Sequence, residues 1–123
     1  MRLPIRYALG DASRLNTEDA GLGLEHLANL TFERPDEERF PCVKLGHYAL
    51  SKGGTAACVI NAANEVAVAA FLHERIGFLD IYRIISRCLE KVDFIKAPAY
   101  EDYVNINSVT RSMAESMINN KDF

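Results

Sequence analysis

Residues 53–72, Gly53-Gly54-Thr55-Ala56-Ala57-Cys58-Val59-Ile60-Asn61-Ala62-Ala63-Asn64-Glu65-Val66-Ala67-Val68-Ala69-Ala70-Phe71-Leu72, limit the fold of this chain more than any other stretch. Beyond Thr55 the side chains are small or apolar, and the polar interruptions are Asn61, Asn64 and Glu65. Their i, i+3, i+4 spacing puts all three on one face of a helix and leaves the rest of the circumference apolar. A helix apolar over most of its surface is buried among neighbours, not laid on a surface. Alanine is the best helix former, and its small side chain lets neighbouring backbones come close. The stretch therefore predicts a central helix around which the others pack.

The flanking sequence supplies those neighbours. A helix is expected to start near Asp36 or Pro41 and run to Lys52, with Phe40, Val43, His47 and Leu50 as its buried stripe and Gly53-Gly54 as its stop. Thr55 is placed to cap the central helix, which is expected to end near Arg75 with Gly77 as punctuation. Phe78, Ile81, Ile84, Ile85, Cys88, Leu89 and Val92 then recur by threes and fours, the cleanest amphipathic pattern in the chain. Asp93 to Pro98 reads as a connector. A last helix is expected from about Ser108, as its cap, to Asn119, burying Val109, Met113, Met117 and Ile118.

The first third is less regular. Met1 to Leu9 predicts a short helix, with Pro4 tolerated in its first turn. Residues 10–23 turn polar between glycines and read as a loop. Leu24, Leu27, Ala28 and Leu30 have a helical rhythm, while Leu30-Thr31-Phe32 fits a short strand equally well. The expected fold is all-α: a small antiparallel bundle of about four helices over residues 35–123, preceded by an irregular linker segment over 1–34.

The totals exclude several classes. A chain of 123 residues has room for one core of useful size. A net charge of -3 gives no electrostatic reason to expect nucleic acid. No apolar run is long enough to span a bilayer, and the first residues are too polar for a signal peptide. Cys42, Cys58 and Cys88, odd in number and far apart, fit a reducing compartment with each thiol acting as a small core residue; a cytoplasmic location is expected.

Candidate chemistry is sparse. Asn61, Asn64 and Glu65 suggest a ligand or metal site, but one carboxylate with two amides is a poor metal set, so bridging within the bundle is the simpler reading. Lys52-Gly53-Gly54-Thr55 before a helix suggests an anion site, yet it lacks the leading glycine, the lysine order and the preceding strand of a phosphate loop. His26, His47 and His73 with the cysteines contain no ligand pair at zinc spacing; His47 reads as a core or edge residue. Asp36-Glu37-Glu38 and Glu101-Asp102 are most simply solvated helix starts. None of these makes a catalytic constellation.

An ordered series of residues carries more information than their chemistry. It runs Met1-Arg2-Leu3-Pro4-Ile5-Arg6-Tyr7-Ala8-Leu9, Leu30-Thr31-Phe32, Pro35-Asp36, Arg39-Phe40-Pro41-Cys42, Leu45, Gly53-Gly54, then the Asn61-to-Leu72 run, Ile76, Phe78 and Ile81. In this order they resemble the C-terminal part of the 1-deoxy-D-xylulose 5-phosphate reductoisomerases, over nearly the whole chain. One departure is Gly10-Asp11-Ala12-Ser13-Arg14, where that family usually has an aromatic–proline pair before the arginine; it touches only the local turn.

The resemblance implies a C-terminal fragment: the end of a catalytic segment and a linker over 1–34, then the bundle over 35–123. The family enzyme is an oxidoreductase of isoprenoid biosynthesis, in the non-mevalonate pathway. It uses NADPH and a divalent cation, Mg or Mn, to make 2-C-methyl-D-erythritol 4-phosphate, and it is expected to be a homodimer. Its acidic metal ligands and phosphate-gripping side chains lie upstream of the matching region and have no counterparts here. Only Met1 matches a family residue that approaches the nicotinamide ring. The implied partners are the NADPH-binding and catalytic domains of the same enzyme, with the bundle bracing them and inactive alone. Two other classes stand beside this one: a free-standing helical interaction module, and a ligand-binding bundle using Asn61, Asn64 and Glu65.

Overall fold

The alanine-rich stretch folds as the buried helix its composition predicts. A computed structural model of the protein describes residues 2–11, 13 and 31–123. Among them are five helices and no strand: α1 (Arg2–Leu9), α2 (Cys42–Lys52), α3 (Ala56–Leu72), α4 (Asp80–Lys91) and α5 (Tyr100–Asn120). The architecture is all-α. The chain divides into two compact units, Met1–Arg34 and Pro35–Phe123.

In the first unit, α1 carries Pro4 in its first turn, where a missing N–H costs no helical hydrogen bond. The Gly10 N–H closes the helix on the Arg6 carbonyl at 2.9 Å, and Asp11 turns left-handed. Ile5, Tyr7 and Leu9 are all more than half exposed. Met1, most of the loop at 10–23, the rhythm at 24–30 and Leu30 lie outside the described residues; Thr31 and Phe32 have no regular structure.

In the second unit α3 packs against α2, α4 and α5. It buries Ala56, Val59, Ala62, Ala63, Val66, Ala67 and Ala70. Ordering an alanine costs no rotamer freedom, so burial here is cheap in entropy. Facing it are Ile81, Ile84, Ile85 and Cys88 of α4 and Ile106, Thr110, Ala114, Met117 and Ile118 of α5. Val92 closes the α4 stripe as the periodicity predicts, whereas Phe78 at its other end is 64% exposed.

Several expectations are corrected. The α2 stripe is not Phe40, Val43, His47 and Leu50: these are exposed, and Leu45 alone is buried. With α3 as its main neighbour, α2 buries one narrow line through Leu45 and half-buried Ala49, leaving its other apolar side uncovered. The central helix stops at Leu72 because Glu74 turns left-handed; the Glu74 and Arg75 N–H groups bond back to the Phe71 and Ala70 carbonyls, both at 2.9 Å. That is a Schellman ending built without glycine. The last helix begins at Tyr100, eight residues before Ser108, which sits in its interior, and Val109 is 42% exposed. Asp102 starts it by accepting the Ala99 N–H at 2.8 Å, with Glu101 beside it at the positive end of the dipole.

Thr55 stands at the N-cap position of α3 but its side chain makes no cap bond. Its hydroxyl accepts the Ile95 N–H at 3.0 Å, and its own N–H donates to the Ile95 carbonyl at 3.0 Å. Thr55 is fully buried and Ile95 half-buried, so this two-bond bridge is partly shielded from solvent. It joins the α2–α3 turn to the connector between α4 and α5. Gly54 permits the approach: a Cβ there would lie 2.3 Å from the Ile95 carbonyl oxygen and 2.9 Å from the Phe94 ring, at φ +53. The Lys52 ammonium covers the same Phe94 ring at 4.8 Å.

Two stability outcomes follow from this seam. Thr55→Val leaves the partly shielded Ile95 N–H without its acceptor and is expected to cost about 1–3 kcal/mol in urea unfolding, with Thr55→Ser much milder. Gly54→Ala is expected to cost more than about 1 kcal/mol. Gly46→Ala, in open space inside α2, is expected to stabilise by about 0.5–1 kcal/mol.

Candidate functional site

Asn61 and Glu65 lie one turn apart on the exposed side of α3, and the Asn61 amide donates to Glu65 Oε1 at 3.0 Å. From α5, Arg111 donates through Nη2 to Glu65 Oε2 and through Nε to Asn107 Oδ1 at 3.1 Å. The result is a four-residue polar clamp across the α3–α5 seam. Asn64 is exposed and outside it. The Arg111 hydrogen bond first, then that of Asn61, then the Arg111 charge hold the Glu65 carboxyl below the usual carboxylate range. The bridging role expected of Asn61 and Glu65 is found, but between side chains at the surface and not to buried backbone.

Arg111 and Asn107 escaped sequence reasoning. Their i, i+4 spacing was the available signal, but a helix expected to begin at Ser108 left Asn107 outside it.

The other candidates resolve into structure. The Lys52-to-Thr55 turn has no strand before it, its Thr55 N–H and hydroxyl are both committed to Ile95, and Lys52 covers Phe94. Asp36 accepts the Glu38 and Arg39 N–H groups at 3.1 and 2.9 Å, ordering a turn ahead of α2. His47 is exposed, and His73 Nδ1 lies 2.7 Å from the Ala69 carbonyl at the end of α3. His26 and Met1 lie outside the described residues.

The cysteines differ from one another. Cys88 is a core residue whose thiol burial pushes up to about 11. Cys58 is half-buried, its thiol 3.6 Å from the Tyr103 carbonyl. Cys42 is exposed, against the expectation that all three are core residues: it is the first residue of α2, one turn before buried Leu45.

Neither implied cofactor is matched by these residues. Among the described residues no three His, Cys, Asp or Glu side chains gather as a cation would require. Glu65, the best single ligand, already neutralises Arg111, and a cation there would meet the guanidinium. Among the described residues no strand leads into a glycine-rich turn of the kind that holds a dinucleotide. No helix among them is long and apolar enough to cross a membrane.

The described residues also form an apolar concavity. Phe40, Pro41, Cys42 and Val43 at the start of α2 face Phe78, Leu79 and Tyr82 at the start of α4 across an apolar groove of about 110 Å³. Phe40, Phe78 and Leu79 are each more than half exposed.

Two measurements check these assignments. Glu65 has a depressed folded pKa, so its contribution is present above the unfolded carboxylate range and is lost as pH falls through the folded value. The melting temperature of wild type should therefore exceed that of Glu65→Gln at pH 7, and the gap should close as pH drops below about 4. In thiol titration at pH 8, Cys42 and Cys58, whose thiols burial raises less, should both react well before Cys88, which should stay largely unreacted until the chain unfolds.

A family model described as the DXP reductoisomerase C-terminal domain matches residues 1–113. The 1-deoxy-D-xylulose 5-phosphate reductoisomerase of Bacteroides thetaiotaomicron is 42% identical over 118 residues, 96% of this chain and 30% of that protein. That of Synechococcus sp. is 45% identical over 111 residues, 90% of this chain and 28% of that protein. The Zymomonas mobilis reductoisomerase solved with NADPH superposes with a TM-score of 0.82 at 38% identity, over 95% of this chain and 31% of that one. A reductoisomerase solved with magnesium gives 0.81 at 32% identity, over 99% of this chain and 33% of that one. The chain thus spans about 30% of the length of the relatives it matches. Sequence and fold agree along nearly its whole length, and the chain belongs to the DXP reductoisomerase C-terminal domain family.

Proposed function

We propose that this chain acts as the C-terminal domain of a 1-deoxy-D-xylulose 5-phosphate reductoisomerase, bracing the NADPH-binding and catalytic domains without performing chemistry itself. The observation that carries this reading is the match to one end-domain of a longer enzyme, by a chain whose most organised polar groups join its own helices and turns. Asn61, Glu65, Asn107 and Arg111 hold α3 to α5, and Thr55 and Ile95 hold two turns together.

In this reading residues 1–34 are the end of the catalytic segment and a linker, and residues 35–123 are the brace. The groove between α2 and α4 receives the upstream domains. Leu79 and Phe78 are aligned for that contact, since both expose apolar surface beside a concavity that one apolar side chain can enter. The whole enzyme is a cytoplasmic homodimer. It converts 1-deoxy-D-xylulose 5-phosphate to 2-C-methyl-D-erythritol 4-phosphate with NADPH and a divalent cation, in isoprenoid biosynthesis. Met1 is this chain's one candidate for approaching the nicotinamide ring.

The test is reconstitution. Alone, with 1-deoxy-D-xylulose 5-phosphate, NADPH and Mg²⁺, the chain is expected to oxidise no NADPH; measurable turnover overturns the proposal. Mixed with the Bacteroides thetaiotaomicron reductoisomerase cut before its matching region, it should bind and restore turnover. Leu79→Glu should weaken that binding at least about tenfold while leaving the melting temperature of the free chain unchanged. Failure to bind the truncated enzyme would favour the free-standing interaction module.

A further inference from the structure

We draw no further inference here: the strongest candidate, the apolar groove between the start of α2 and the start of α4, is already assigned above to the upstream domains, and nothing in the structure shows what else covers it.

Discussion

The second unit depends on enclosing α3. A helix of this composition offers little polar surface to water, and seven of its seventeen residues are buried. Three helices wrap it because one neighbour shields only a stripe. The division of labour follows from the enclosure. α4 and α5 supply the bulky side chains, since the alanines of α3 contribute closeness and little volume. Ile84 and Ile85 are the largest fully buried residues, and both belong to α4. Replacing the alanines by larger residues would force those helices apart.

Enclosure by helices leaves the connections to be fixed, and this is done with very few hydrogen bonds. The bridge between Thr55 and Ile95 holds the entry to α3 against the exit from α4, residues forty positions apart. Its geometry explains why glycine precedes threonine: the backbone must come close enough for two bonds, and a side chain at 54 would occupy the space of the Ile95 carbonyl. Farther along α3, the Glu65–Arg111 contact is half-exposed on both partners. An exposed pair of this kind contributes modestly to stability, and its value lies in setting the register of α5 against α3. The partly shielded bridge and the surface clamp are thus unequal, and the bridge governs.

What could be read in the sequence tracks how completely a residue's surroundings are settled by its own segment. α3 and α4 were legible because burial on one or several sides writes a strong period into the residues themselves. The start of α5 was not: Val104, Asn105, Ile106 and Asn107 are middling helix formers, and the helix exists there because Asp102 caps it and Ile106 reaches the core. The end of α3 was read three residues late for a related reason, because Glu74 takes a left-handed conformation that glycine would advertise and glutamate does not; the end of α5, at Asn120, falls within one residue of the expected Asn119. At the polar clamp only the α3 half was visible, since Arg111 lies forty-six residues away from Glu65. The buried face of α2 was misread because Phe40, Val43, His47 and Leu50 keep a helical period without a neighbour to meet it.

That misreading carries physical information. The apolar period of α2 points away from α3, and beside it Phe40, Phe78 and Leu79 are exposed at 53%, 64% and 60%, apolar surface that gains nothing from water. The same holds in the first unit, where α1 exposes Ile5, Tyr7 and Leu9. The described residues therefore contain two kinds of apolar pattern. One kind closes on α3 and accounts for the stability of the bundle. The other stays exposed among the described residues, and apolar faces of this kind are where a domain meets another surface. Thr55, Glu65 and Arg111, by contrast, are engaged within the bundle, so the paired polar groups fix its internal seams.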